Sequence, residues 1–116
     1  MTPEEFVNAI KQSMRDGAAR EIDYYANPPV ANPPGHLGQF STWFRKLSAA
    51  DQAIVRDIVE YAHEGALFQV LMYLDNSAKL TDENGELELW YTNENGDRAR
   101  LNDPDGEMLQ DLFNTI

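Results

Sequence analysis

Glu86 and Glu88 stand two residues apart in the run Glu86-Leu87-Glu88-Leu89-Trp90-Tyr91-Thr92. Alternation at a period of two predicts a strand with one face in water. It places Glu86, Glu88 and Trp90 on one face and Leu87, Leu89 and Tyr91 on the other. Two carboxylates on one face are the pair a glycosidase uses as acid and base. They are also the ordinary solvent face of a half-exposed sheet, the commoner arrangement. Trp90 suggests a different use for the same face. A tryptophan exposed among acids is an anchor for a protein partner, because tryptophan is enriched where binding energy concentrates. The plain alternative is that a loop or the last helix covers it.

A second group of oxygens follows at Asn102, Asp103, Asp105 and Glu107. With His63 as a base, the acids at Asp103–Glu107 define an alternative reading, a small hydrolase or ligand-binding domain. The motifs that accompany such chemistry are missing. Neither His36 nor His63 belongs to an HExxH pair, so a helical zinc site is not predicted. Ser41 lacks a GxSxG context, and the chain has no cysteine to act as nucleophile or thiolate ligand. An EF-hand register set on Gly85, Gly96 or Gly106 puts Leu80, Tyr91 or Leu101 at its first position, where calcium needs an acid. Gly35-His36-Leu37-Gly38 matches the GxxG of an RNA clamp but lacks flanking bases. No Walker loop or dinucleotide fingerprint is present, and no metal or cofactor is expected.

Charge narrows the partners. Residues 1–47 hold five acids and five bases, whereas residues 48–116 hold fifteen acids and four bases, which gives the whole net of −11. An acidic half repels a phosphate backbone, so nucleic acid is excluded as a partner. It attracts a basic protein partner, with Glu86, Glu88, Glu94 and Asp97 steering and Trp90 anchoring. Acidity also serves solubility alone. The N-terminal stretch has acids where a signal peptide has bases, and no run reaches membrane-spanning length. A soluble cytoplasmic protein without membrane contact, monomeric or homodimeric, is the expectation.

These residues need a scaffold, and it is organised around Ser48–Asp75. Ser48 suits an N-cap. Ile54, Ile58, Tyr61, Ala62, Gly65, Phe68 and Met72 recur at spacings of three and four, one face of a long helix. From Ala66 to Leu74 only Gln69 is neither apolar nor tyrosine. The first half is therefore expected on a surface and the second in the core, covered on all sides. Gly65 is expected to admit a neighbouring helix. Before it, Thr2-Pro3-Glu4-Glu5 predicts a capped helix reaching the Asn27-Pro28-Pro29 break. Phe40, Trp43, Phe44 and Leu47 predict a second helix from about Leu37 to Leu47. The prolines of residues 27–38 read as an ordered crossover between the two helices.

After Asp75 the period changes. Ala78–Thr81 is a short strand candidate, Glu86–Thr92 a second, and Arg98–Leu101 a third, returning through Asn95-Gly96. Arg98 or Arg100 is placed to face Glu86 or Glu88. Asp103 is a candidate cap and Pro104 a candidate first residue for a last helix bearing Met108, Leu109, Leu112, Phe113 and Ile116. The expected fold is one α+β domain over residues 1–116. It has three N-terminal helices with the third long and central, a small antiparallel β-meander and a C-terminal helix.

The block Leu101–Phe113 (LNDPDGEMLQDLF), the prolines after the first helix, Trp43-Phe44 and the ending LFQVLMYLD together resemble a set of small bacterial proteins without assigned function. The resemblance implies a bacterial source and a free-standing domain. It implies no activity, so it assigns no catalytic residue. The reading favoured by the residues is a small acidic interaction protein, an immunity-type inhibitor or an adaptor.

Overall fold

Helix α1 (Pro3–Ala26) starts where Thr2 and Glu5 satisfy each other. The Thr2 N–H donates to Glu5 Oε2 at 2.8 Å, and the Glu5 N–H donates to Thr2 Oγ1 at 3.1 Å. This reciprocal box supplies partners for N–H groups the helix itself leaves free. The computed structural model describes residues 1–116. Helix α2 (Gly35–Phe44) follows the prolines, and α3 (Ala49–Leu74) follows Ser48, whose Oγ accepts from the Asp51 N–H at 3.1 Å. The second helix runs earlier than the apolar spacing suggests. Lys46 and Leu47 leave it through bonds to Trp43 and Phe44 carbonyls, a tightened last turn.

Strands β1 (Trp90–Thr92) and β2 (Arg98–Arg100) pair antiparallel, with Trp90 opposite Arg100 and Thr92 opposite Arg98. Helix α4 (Leu109–Thr115) closes the chain. The α+β class is thus as expected, with α3 the long central helix, but the sheet has two strands rather than the three of a meander. Ala78–Thr81 joins no strand. The Leu89 carbonyl accepts from the Leu101 N–H at 2.8 Å, while the Leu87 backbone and the Leu89 N–H find partners in side-chain amides. Leu87 is bracketed by Asn76, whose Oδ1 accepts from its N–H at 2.8 Å and whose Nδ2 donates to its carbonyl at 3.1 Å. Asn102, buried, accepts from the Leu89 N–H at 2.8 Å and donates to the carbonyls of Leu87 and Leu74.

The end of α3 fixes the start of α4. Asn76 adopts a left-handed φ of 59°. Its N–H bonds to the Tyr73 carbonyl and that of Ser77 to the Met72 carbonyl, the paired closure of a Schellman motif. Just before it, Asp75 presents both carboxylate oxygens to α4. Oδ1 accepts from the Leu109 N–H and Oδ2 from the Gln110 N–H, each at 2.8 Å. The predicted cap, Asp103, sits in a separate turn instead. Its Oδ1 accepts from the Asp105 N–H, and its carbonyl accepts from Gly106. The helix begins only at Leu109, because the carboxylate facing its free N–H groups comes from α3. At its other end the buried Lys11 Nζ donates to the carbonyls of Phe113 and Ile116, at 2.8 and 2.9 Å, and stands 4.1 Å from the Phe113 ring centre.

Backbone contacts divide the chain into two compact units. One comprises Met1–Ser13 and Gly65–Ile116, the other Met14–Glu64. In the first, Val7, Leu67, Leu71, Leu101, Leu109, Leu112 and Phe113 are buried, and Phe68 packs on Phe113 at 5.6 Å between ring centres. In the second, Ile22, Tyr25 and Phe44 form the centre, with Leu47, Val55 and Val59 packed against them. Gly38 lets the proline segment lie directly on α2, since a Cβ there would sit 1.7 Å from the Pro33 carbonyl oxygen.

The burial of α3 differs from its apolar pattern. Val55 and Val59 face inward in the first half, and Leu67 and Leu71 in the second. The larger stripe, Ile54, Ile58 and Tyr61, stays exposed. Val70 is exposed as well, so the second half is not covered on all sides. Gly65 meets no neighbour: nothing lies within 4 Å of a Cβ built there.

Two stability outcomes follow from this packing. Leu71→Ala, at a fully buried position, should lower stability by about 2–5 kcal/mol, read as a fall in the urea midpoint. Asp75→Ala should cost about 1–2 kcal/mol by stripping the cap from α4, while Asp103→Ala should cost clearly less in the same titration.

Candidate protein-interaction surface

The hairpin that carries Trp90 is set by its turn. The Asn93 N–H donates to the Asp97 carbonyl at 2.9 Å, leaving Glu94, Asn95 and Gly96 to turn the chain. Gly96 takes φ of 85°, the left-handed position a three-residue hairpin loop requires. Asn93 Oδ1 accepts from the N–H groups of Asn95 and Asp97 and so holds the loop from inside.

One face of the hairpin alternates charge and ring. Glu88 Oε1 pairs with Arg100 Nη1 at 3.2 Å, and its Oε2 accepts from the Trp90 indole N–H at 3.4 Å. The Arg98 guanidinium lies over the Trp90 ring, 4.6 Å from its centre. Such a contact is worth about 0.5–1 kcal/mol at an exposed site. Trp90 remains 43% exposed, so neither a loop nor α4 covers it. The expected cross-strand pairing is therefore Glu88 with Arg100, while Arg98 stacks on the tryptophan.

The five predicted residues do not form one patch of equal members. Glu88 and Trp90 are joined as described. Asp97 accepts from the Asn93 amide at 3.3 Å. Glu94 lies in the turn, exposed and unpaired. Glu86 lines a pocket of about 440 Å³ together with Tyr73, Lys79, Leu80, Glu83 and Leu87. The carboxylates of Glu86 and Glu83 have no partner there, while Lys79 is held by Asn84 at 3.1 Å. Sequence patterning missed Glu83 and this pocket, because the loop that forms it has no period to read. It equally missed Asn76 and read Asn102 only as one oxygen of an acidic group, whereas both side chains hold strand-like backbone without belonging to a strand.

The residues of the alternative reading fall into different compact units, His63 in one and Asp103–Glu107 in the other. Each is already engaged. The His63 Nδ1–H donates to the Val59 carbonyl at 2.8 Å, one turn back on its own helix. The other ring nitrogen, Nε2, stands 3.4 Å from Glu21 Oε2. Glu21 in turn accepts from the Tyr25 hydroxyl. Arg15 pairs with Glu64 at 3.3 Å beside them. His63 thus ties α3 to α1 rather than opening onto a cleft. No three carboxylate or imidazole groups converge on a point where a metal ion would sit, and no helix is long and apolar enough to cross a membrane.

The fold and this surface define a small α+β chain with a tryptophan-bearing hairpin in the more acidic of its two compact units. Comparison with protein-family models, with characterised proteins and with solved structures finds no match.

Tyr25 yields a measurable pH dependence. Its phenol is pushed up from 10 to about 12, first by burial, then by the bond it donates to Glu21 and by the negative charge of that carboxylate. A folded value above the unfolded one means the protonated phenol favours the fold. That stabilisation is complete below pH 10 and is lost as pH rises toward 12. The urea midpoint of the wild type should fall across this window more steeply than that of Tyr25→Phe.

Proposed function

We propose that the chain is a small acidic protein-binding module of the cytoplasm, an adaptor or an inhibitor of the immunity type, whose partner is a basic protein. The observation that carries this reading is Trp90, exposed on a strand face within the strongly acidic unit. That unit holds thirteen acids and four bases, net −9, against seven acids and five bases, net −2, in the other. A half-exposed tryptophan whose ring already carries an arginine is chemically ready to stack a second cation from a partner. Unpaired Glu83 and Glu86 line the pocket in the same unit and suit a lysine or arginine side chain. The resemblance to small bacterial proteins sharing the Leu101–Phe113 block is compatible with this role and adds no activity to it.

The geometry refines which acids should steer the partner. Glu88 is neutralised locally by Arg100 and Asp97 is held by Asn93, so Glu86 and Glu94 project the least compensated charge of the predicted set. The test is kinetic, on the partner recovered with the tagged wild-type chain from its native cell. Steering should fade as the Debye length shrinks from about 10 Å at 0.1 M to about 3 Å at 1 M salt. The association rate should therefore fall about tenfold or more over that range. Glu86→Gln with Glu94→Gln should lower the association rate further than Glu88→Gln does. Trp90→Ala should raise the dissociation rate instead. Rates insensitive to salt and to all these changes would leave acidity as a solubility feature and remove the proposal.

A further inference from the structure

Helix α3 carries two apolar stripes through its first half, and the fold buries the smaller. Val55 and Val59 pack on Ile22, Tyr25 and Phe44. Ile54, Ile58 and Tyr61 point away from that core and are 57%, 60% and 81% exposed. Ala62 continues the same face and is exposed too. Spacings of four, three and one residue make this a continuous helical stripe, which scattered surface apolar residues do not form. Such a stripe on an otherwise ordinary helix is built to be covered.

We infer that this face of α3 associates with the same face of a second copy of the chain, the two helices antiparallel about Ile58. Three features of the molecule select a second copy over another occupant. The first is pattern: an antiparallel pair centred on Ile58 lays Ile54 of each copy over the small Ala62 of the other, bulk against space, in both directions at once. An isologous contact demands this self-complementarity. The second is charge. The stripe lies in the compact unit of net −2, not in the one of net −9, so pairing here adds the least self-repulsion to a chain of net −11. In the antiparallel register Asp51 lies opposite Gly65 of the other copy rather than opposite its own counterpart, and the helix dipoles oppose rather than align.

The third is area. Ile54, Ile58 and Tyr61 offer on the order of 300 Å² of apolar surface per copy. With the usual polar share of an interface, the total buried by two copies comes to roughly 1,000 Å². That is the size at which specific association begins, and it describes a reversible dimer rather than an obligate one. The inference is independent of the Trp90 hairpin and stands or falls without it.

Sedimentation velocity on the intact chain, from about 1 µM to about 1 mM, is the direct measurement, a span that covers dissociation constants typical of weak complexes. The mass should rise with concentration from 13.2 kDa toward twice that value. Ile58→Glu should weaken the association at least tenfold, and far-UV circular dichroism should show its helices intact, since the side chain is exposed. Ala19→Glu, which adds the same charge on an exposed position of α1, should leave the association unchanged. A wild type monomeric throughout the range overturns the inference, as does equal weakening by both substitutions. The chain lacks cysteine, so the register is read by mild oxidation of single-cysteine variants. A mixture of Ile54→Cys and Ala62→Cys chains should cross-link to each other. Cross-linking of Ile54→Cys only to itself would overturn the antiparallel arrangement.

Discussion

Asp75 makes the interaction on which the C-terminal part of this molecule depends. One carboxylate accepts from two successive N–H groups of α4, so the end of one helix becomes the start of another. A helix of seven residues has little stability of its own, because nucleation costs more than so few bonds return. This one is held at both poles by charges of the sign its dipole favours, a carboxylate at its N-terminus and the Lys11 ammonium at its C-terminus. Leu109, Leu112 and Phe113 are buried because those two contacts hold the segment in place.

The next two residues with similar reach are asparagines. An asparagine amide offers both a donor and an acceptor, like a peptide group. Asn76 and Asn102 use this to satisfy both backbone groups of Leu87 and the N–H of Leu89, which no strand pairs. The hairpin is thereby joined to the end of α3 through side chains. The face that bears Trp90 is set at a defined place within its unit.

Local features were legible in the sequence because they are decided by near neighbours. The Thr2–Glu5 box, the Ser48 cap, the Asn95-Gly96 turn and the pairing of an arginine with Glu88 each involve short separations or a simple register. The Asp103 cap failed for the opposite reason. Asp103-Pro104 has the composition of a helix start, but a residue 34 positions before Leu109 outcompetes it. The stripe of α3 was readable as a pattern and not as a direction. Periodicity shows that Ile54, Ile58 and Tyr61 share a face, but not that Val55 and Val59 would take the inner side. The pocket beside Glu86 could not be foreseen, since its loop residues repeat at no period.

The buried amide of Asn102 is also a place where chemical change would be costly. Hydrolysis of that amide to a carboxylate would replace two donated hydrogen bonds, to Leu74 and Leu87, by a negative charge facing two carbonyl oxygens in a place that water scarcely reaches. Asparagine is among the thermolabile side chains, and here the damage would strike the junction of α3 with the hairpin. Damage to that one amide would thus be felt in two places at once, the end of the helix and the hairpin.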